Sequence, residues 1–197
     1  MKFLELNTVS KDYFGYEDIA SALGITPAAA KVFAHRYVKN KILIRAKRGI
    51  YILREKWNHF SREQKFEIAN LLQVPSYISL ATAMDYYEIT TQMQKSFIES
   101  IAIKRTKEFD INGTVFNYTR INRNLYNGFL KQNNFFIATP EKALLDASYL
   151  MSLGRYKFDT TVIDLNKVNR ELLLKEAKRF PEKTQNFMEN HGYFSTT

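Results

Sequence analysis

The stretch Tyr16–Leu53, YEDIASALGITPAAAKVFAHRYVKNKILIRAKRGIYIL, decides how this 197-residue chain is interpreted. It predicts a short helix, a tight turn at Gly24, a second helix that begins at Pro27, and a two-stranded hairpin closed at Gly49. Gly24 suits the left-handed conformation in which many helices end. Thr26 followed by Pro27 is typical of a helix start. A two-helix unit followed by a basic hairpin is the pattern of a winged helix-turn-helix.

Positive charge is concentrated near the N-terminus. The chain has a formal net charge of +9. Residues 1–60 hold eleven Lys and Arg against five Asp and Glu, a balance of +6, and the remaining 137 residues hold eighteen against fifteen, a balance of +3. No Asp or Glu occurs between Ile19 and Arg54. This distribution favours a polyanion-binding module at the N-terminus over a merely basic surface, which is the alternative.

The second helix, predicted from Pro27 to about Asn40, has an apolar side and a basic side. Its apolar positions recur at helical spacing and are expected to pack inward: Ala30, Phe33, Ala34 and Tyr37. The predicted DNA-binding residues are Ala28, Lys31, Val32, His35, Arg36 and Lys39 of this helix and Arg45, Lys47 and Arg48 of the hairpin tip. We expect Arg36 or His35 to reach base edges and Val32 or an Ala to touch a thymine methyl group. The hairpin cations are expected to reach phosphates or an adjacent minor groove. The alternatives are a basic surface helix and a solvated hairpin tip.

The remaining chain predicts a mixed α/β domain, so that the fold class is α+β with a winged helix-turn-helix over residues 1–60 and a second domain over residues 61–197. Asn112-Gly113 is a strong hairpin-turn signal. The predicted strands are Phe97–Ile103, Thr114–Ile121 and Phe135–Ala138, and the predicted later helices follow Ser79 and Thr139 and cover Val168–Phe180 and Glu182–Asn190.

Ser79 and Thr139 are each predicted to cap the helix that follows. In the second of these helices, Lys142 and Asp146 are four residues apart and are expected to pair on the surface. Its buried stripe is predicted to contain Ala143, Leu144, Ala147, Leu150 and Met151.

Composition excludes several classes of function. The chain has no Cys and only three His, which excludes thiolate chemistry and argues against a metal site. No signal peptide and no apolar run of about 20 residues is present, so we expect a cytoplasmic protein that is not bound to a membrane. No catalytic motif is complete, because Glu141 and Asp146 are five residues apart on a helix and point to different faces. We therefore predict no catalytic residues and no cofactor; nuclease or nucleotide-transfer activity from Asp85, Glu141 or Asp146 is the alternative.

Three segments carry a resemblance to a known family. They are KRGIYIL at Lys47–Leu53, YISLATAM at Tyr77–Met84 and IATPEKALLDASYL at Ile137–Leu150. In this order and at this separation, they resemble the AbiEi family, the antitoxins and transcriptional regulators of AbiE-type (type IV) toxin–antitoxin systems that act in phage defence by abortive infection. The resemblance spans roughly residues 10–155. One departure is Glu88-Ile89, where such proteins often have Gly-Leu.

The resemblance implies an autorepressor that binds inverted repeats in its own promoter, as a homodimer or by cooperative binding of monomers. It also implies that the second domain counters a co-encoded nucleotidyltransferase toxin without a stable complex. The residues that match the family's C-terminal motifs are Tyr77, Ser79, Pro140, Glu141, Lys142 and Asp146. From their positions alone, these residues are equally well explained as fold determinants. A protein-interaction module that docks an acidic partner protein is the competing function.

Overall fold

The computed structural model describes residues 5–7, 9, 11–92 and 95–194. The chain divides into two compact units, residues 1–68 and 69–197. Glu5–Asn7 form a short 3₁₀ turn in which Leu6 is buried. Phe3 and Leu4, which the sequence also places in a leading helix, lie outside the described residues.

The first unit is mainly helical and contains one hairpin. Its elements are α1 (Tyr16–Leu23), α2 (Pro27–Lys39), β1 (Leu43–Lys47), β2 (Ile50–Leu53), α3 (Arg54–Asn58) and the beginning of α4 (Arg62–Leu72), which continues into the second unit. Gly24 ends α1 in the left-handed conformation, with φ of 59°. Thr26 caps α2 by accepting a hydrogen bond from the backbone N–H of Ala29, and Pro27 occupies the first turn. The predicted turn chemistry is therefore confirmed.

The core of this unit is formed by the inward faces of α1, α2 and the hairpin. Ala30, Phe33 and Ala34 are buried as predicted, whereas Tyr37 is half-buried and stacks on Phe33 with 3.9 Å between ring centroids. Buried residues from the other elements complete the core: Leu6, Phe14, Ile19, Ala20, Leu23, Leu43, Tyr51 and Leu53.

The hairpin has a third, very short strand beside it. β1 and β2 pair in antiparallel register, and the loop between Lys47 and Ile50 contains Gly49 with φ of 78°, as its sequence predicts. Phe14 pairs with Tyr51 of β2 through two backbone hydrogen bonds of 2.9 Å. The segment that leads into α1 is thereby held against the exit strand of the hairpin.

The second unit is a mixed sheet with helices packed on it. Its elements after α4 are β3 (Ser76–Ile78), α5 (Leu80–Tyr86), β4 (Phe97–Ala102), β5 (Lys107–Ile111), β6 (Thr114–Arg120), β7 (Phe129–Gln132), β8 (Phe135–Ala138), α6 (Pro140–Ser152), α7 (Arg170–Ala177) and α8 (Glu182–Asn190). The strand order is β5-β6-β4-β3-β8-β7. β4 pairs with β6 and β3 with β8 in parallel, and the other neighbours are antiparallel. Helices in the N-terminal part and a sheet-rich C-terminal part agree with the predicted α+β class.

Local sequence explains most of these boundaries. Asn112 and Gly113 both have positive φ, 50° and 83°, which is what a two-residue hairpin loop requires. α7 is shorter than the predicted helix Val168–Phe180, because Asn169 caps it through the backbone N–H of Leu172. Strand β7 has no counterpart in the sequence-based prediction, since only its pairing with β8 gives it extended structure.

Candidate functional site

One face of α2 is fully exposed to solvent. It contains all six helix residues predicted to bind DNA, Ala28, Lys31, Val32, His35, Arg36 and Lys39, and we call it the α2 face. Val32 is 70% exposed, which is unusual for a branched apolar side chain. The face thus combines small and apolar groups with cations.

Two of these cations lie over aromatic rings of the same unit. The ammonium of Lys31 lies 5.6 Å from the ring centroid of Tyr16, and the guanidinium of Arg36 lies 5.4 Å from that of Tyr37. The hydroxyl of Tyr51 donates to that of Tyr16 over 2.8 Å. Burial raises the pKa of Tyr51 to about 12, so this hydroxyl stays protonated at neutral pH. These contacts join α1, α2 and β2 beneath the α2 face.

The hairpin cations are not equivalent. Arg45 and Arg48 are exposed, whereas Lys47 is half-buried. A groove between α2 and the hairpin is lined by His35, Val38, Lys39, Arg45 and Tyr51. The structure therefore brings His35 and Lys39 of α2 together with Arg45 of the hairpin along one groove, and Lys47 is less accessible than Arg45 and Arg48.

Asp18, the acidic residue that directly precedes the acid-free stretch, is already engaged. The carboxylate of Asp18 accepts from the ammonium of Lys11 over 2.6 Å and from the backbone N–H of Gly15 over 2.8 Å. Hydrogen bonds from Lys11 and then Gly15 lower the pKa of Asp18. Together with the absence of Asp and Glu from residues 19–54, this leaves the basic surface without a competing carboxylate of its own segment.

Four of the six C-terminal motif residues meet in the interior of the second unit. Tyr77 and Ser79 donate hydrogen bonds to one oxygen of Asp146 over 2.9 and 2.8 Å, and Lys142 forms an ion pair with the other oxygen. We call Tyr77, Ser79, Lys142 and Asp146 the motif cluster. All four are at most 3% exposed.

Two sequence-based expectations about these residues are wrong. Lys142 and Asp146 do pair, but the pair is buried rather than on the surface, because α6 is covered by α5, α7, α8 and the sheet. Ser79 does not cap α5 with its side chain, because its hydroxyl is turned to Asp146.

Of the predicted buried stripe of α6, Ala143, Leu144, Ala147 and Leu150 are buried and Met151 is half-buried.

The side chain of Lys142 makes further contacts in the interior of the second unit. Its ammonium also donates to the backbone carbonyl of Leu125 over 2.8 Å and lies 5.0 Å from the ring centroid of Phe180. Gly128 packs on the aliphatic part of Lys142, where a Cβ would come within 3.0 Å. Burial raises the pKa of Asp146, and the charge of Lys142 together with the hydroxyl donors opposes that rise.

The other two motif residues have separate local roles. Pro140 lies in the first turn of α6 behind Thr139, which accepts from the backbone N–H of Lys142 as its predicted capping role requires. Glu141 is buried and accepts a 2.8 Å hydrogen bond from the backbone N–H of Asn169, at the start of α7. Both residues thus organise helix ends.

A third buried acid, Glu99, was missed by the sequence analysis. Glu99 of β4 is 4% exposed and accepts from the backbone N–H of Ala81 over 3.1 Å and from the hydroxyl of Tyr156 over 3.0 Å. Burial raises the pKa of Glu99 to about 7. The adjacent Leu80 has a φ of 57°, a strained value for a residue other than Gly. A lone acid within the apolar strand FIESIA was the signal available for Glu99.

No group of three or more His, Cys, Asp or Glu is placed to hold a metal ion among the described residues. Within the same residues, no helix has both the length and the apolar character needed to cross a membrane.

Comparison with known proteins bears on the first unit most directly. The family model described as "Transcriptional regulator, AbiEi antitoxin" covers α1, α2 and the hairpin. Residues 6–54 match the AbiEi family. This match confirms the predicted resemblance for the segment that carries the α2 face and the hairpin. The AbiEi-like YISLATAM and IATPEKALLDASYL segments lie beyond it.

Curated protein sequences and solved structures give two further comparisons. No curated protein sequence matches the chain. Among solved structures, the crystal structure of the RV2827C protein from Mycobacterium tuberculosis is similar, with a TM-score of 0.59 at 10% sequence identity over 96% of this chain and 75% of that one. At this identity, the similarity shows the fold alone.

Proposed function

We propose that this protein is a transcriptional autorepressor and the antitoxin of a type IV, AbiE-type toxin–antitoxin system. The observation that carries the proposal is the set of exposed cations on the α2 face and the hairpin, which share a groove at Lys39 and Arg45, inside the segment that matches the AbiEi antitoxins. In this proposal residues 1–60 are a winged helix-turn-helix domain and residues 61–197 are the antitoxin domain, neither of which acts as an enzyme.

Three features support a winged helix-turn-helix. α1 and α2 are joined by a turn of three residues whose Gly24 is left-handed, α2 presents its polar side to solvent, and a hairpin follows directly. The short pairing of Phe14 with Tyr51 adds a third strand to the hairpin. This is the arrangement in which a recognition helix enters the major groove beside a wing.

The side chains of the α2 face suit base-edge contacts. Ala28 at the start of α2 allows the helix to approach the groove closely, and Val32 is exposed enough to meet a thymine methyl group. Arg36 or His35, further along the helix, is suited to contacts with base edges or nearby phosphates. Arg45 and Arg48 of the hairpin contact the sugar–phosphate backbone in this arrangement. Two protomers fill inverted half-sites, as a homodimer or by cooperative binding of monomers.

The antitoxin part of the proposal concerns a co-encoded nucleotidyltransferase toxin. It is supported by the family match and by the motif cluster, which keeps the AbiEi-like C-terminal segments together in one domain. We expect co-expression of this protein to restore growth in cells that produce the toxin, without co-purification of the two proteins. Continued growth arrest would contradict the antitoxin role.

Binding to the promoter tests the regulatory part. We expect the full chain to retard a duplex fragment from upstream of its own gene at low salt, and to do so more strongly than a scrambled fragment of equal length. The competing function, docking of an acidic partner protein, predicts retardation of neither fragment. That result would refute the DNA-binding proposal.

Salt dependence measures the contribution of the hairpin. If about five or six cations contact phosphates, log K falls with log salt at a slope of roughly −5. Replacing the two exposed hairpin residues, Arg45→Ala and Arg48→Ala, is expected to flatten the slope by about two units. Replacing Lys131 and Lys175 of the second unit, which are equally exposed, is the matched control. Fluorescence anisotropy from about 50 to 200 mM salt gives the slopes of both variants. An unchanged slope for the hairpin variant would show that the hairpin does not contact phosphates.

Arg36 tests base recognition. Arg36→Ala is expected to reduce the preference for the promoter fragment over random duplex by about 1–3 kcal/mol, because a base contact carries specificity whereas a phosphate contact does not. Lys39→Ala, on the last turn of the same helix, serves as the comparison. Equal losses on promoter and random duplex would assign Arg36 to phosphate contact instead.

A further inference from the structure

Two tyrosine side chains connect the hairpin to α1 within the first unit. Tyr51 lies in β2 and Tyr16 is the first residue of α1, and their hydroxyls are 2.8 Å apart. Their ring centroids are 5.4 Å apart, with the rings inclined at 53°. Tyr51 is buried and Tyr16 is half-buried, so the hydrogen bond between them is partly shielded from water. We call these two residues the tyrosine pair.

Each member of the tyrosine pair lies beside an exposed cation. The ammonium of Lys31, on α2, is 5.6 Å from the ring centroid of Tyr16. Arg45 of β1 is opposite Tyr51 in the hairpin register, and both residues line the groove between α2 and the hairpin. The charge of Arg45 is near enough to oppose the rise that burial causes in the pKa of Tyr51. One row of contacts therefore runs from Lys31 through the tyrosine pair to Arg45.

The backbone around the tyrosine pair is tightly packed. Phe14 and Tyr51 exchange two backbone hydrogen bonds of 2.9 Å. A Cβ at Gly15 would lie 3.5 Å from the carbonyl oxygen of Gly49, and a Cβ at Gly49 would lie 3.8 Å from the ring of Tyr16. The beginning of α1 is thus packed against the hairpin loop, which limits how far the two rings can move apart.

Ordering of the cations favours one class of DNA complex. A lysine or arginine side chain loses rotamer freedom when it binds a phosphate, and a side chain that is already ordered loses less. Phosphate contacts fix the register of a specific complex, which requires the cations in a defined arrangement. Non-specific binding depends instead on the number of charges. A contact that orders cations without adding charge should therefore strengthen specific binding alone.

We propose that Tyr16 and Tyr51 are positioning residues that hold Lys31 of α2 and Arg45 of the hairpin in a fixed arrangement for the phosphates of one promoter half-site. This inference rests on the proposed promoter binding and extends it to two residues that carry no charge. The tyrosine pair joins the helix contacts to the hairpin contacts, so that both are made together.

Tyr51→Phe tests the hydrogen bond, because it removes one hydroxyl and keeps both rings and every charge. We expect affinity for the promoter fragment to fall by about three- to tenfold, the usual net effect of one hydrogen bond. Affinity for random duplex and its salt slope should stay the same, because no charge is lost. Tyr118→Phe is the matched control, since the hydroxyl of Tyr118 donates to the carbonyl of Ala69 in the second unit. Fluorescence anisotropy gives the affinities, and thermal unfolding gives the stability of both variants.

A double-mutant cycle tests the link to Lys31. Tyr16→Leu removes the ring beside the ammonium, so the loss of promoter affinity caused by Lys31→Ala should be at least about threefold smaller in the Tyr16→Leu chain than in the unchanged chain. Where Tyr16→Leu does not fold, Tyr51→Phe takes its place in the cycle. Additive losses would show that Lys31 acts independently of the tyrosine pair and would overturn the proposal.

The outcomes distinguish this inference from the proposed function. A loss confined to the promoter fragment in Tyr51→Phe, together with coupling to Lys31, supports the positioning role. Equal losses on promoter and random duplex, or an equal loss in Tyr118→Phe, overturn it. When the unchanged chain binds the promoter and Tyr51→Phe binds equally well, the positioning role alone fails. When the unchanged chain retards no fragment, promoter binding fails and the positioning role fails with it.

Discussion

Replacement of Lys142 by Met is expected to lower the free energy of unfolding by about 3–5 kcal/mol. Lys142 and Asp146 form a buried ion pair, and Asp146 is completely inaccessible to solvent. Met fills much of the same volume but leaves the Asp146 carboxylate with the hydroxyls of Tyr77 and Ser79 as its donors. The uncompensated charge in the interior accounts for most of this loss of stability. The loss is large, because a whole domain is typically stable by only about 5–15 kcal/mol. Urea unfolding followed by circular dichroism measures the change.

The surface pair Lys167–Glu88 provides the matched control. Its atoms are 2.9 Å apart, but the Glu88 side chain is 82% exposed, so that Lys167→Met should leave the unfolding midpoint nearly unchanged. Where Lys142→Met alone does not fold, the double variant Lys142→Met with Asp146→Asn removes both charges, and recovery of a folded chain tests the same point. Where both single variants fold, the double variant should cost less than the sum of the two single changes by roughly 1–3 kcal/mol. Small losses of stability in both single variants that simply add in the double variant would show that the buried pair contributes little to stability.

Glu99→Gln is expected to stabilise the protein at pH 8 by up to about 3 kcal/mol relative to the unchanged chain. Burial raises the pKa of Glu99 from its ordinary 4.5 to about 7. Between these two values, the folded state keeps the proton while the unfolded state has lost it, so stability falls as the pH rises. Gln stays neutral at every pH and keeps an oxygen that can accept from Ala81 and Tyr156.

The pH dependence separates this cause from a simple packing effect. Stability of the unchanged chain relative to Glu99→Gln should decline from about pH 4.5 to 7 and stay level above that, as the raised pKa requires. Glu108→Gln, at an exposed position of β5, should give a curve parallel to that of the unchanged chain. A Glu99→Gln curve that is also parallel would show that Glu99 has an ordinary pKa in the folded protein.

Local elements were predictable wherever a short run of residues determines the backbone. Gly24, Thr26, Pro27 and the Asn112-Gly113 turn each act through their own conformational preference or their own capping atoms, and the structure has them in those roles. The exposed α2 face followed from helical spacing alone.

Predictions failed where burial depends on partners distant in sequence. The Lys142–Asp146 spacing suits an exposed helix pair and a buried one equally well, and packing of α6 among α5, α7 and α8 decides between them. Ser79 has a capping residue's position, yet the approach of Asp146, 67 residues later, takes its hydroxyl. Glu99 depends in the same way on Tyr156, whose hydroxyl reaches it from 57 residues later in the chain.

By itself, the sequence determined α1, α2 and the hairpin of the first unit, their basic exposed side, and the resemblance to the AbiEi family that the match over residues 6–54 confirms. These features arise from interactions within a few residues, so the order of residues is sufficient to specify them. Only the tertiary structure decided that the motif cluster is an interior polar network and that Glu99 is buried beside Tyr156. The free energy of a charge depends on what surrounds it, and the packing of α6 and the neighbours of β4 in the sheet create those surroundings.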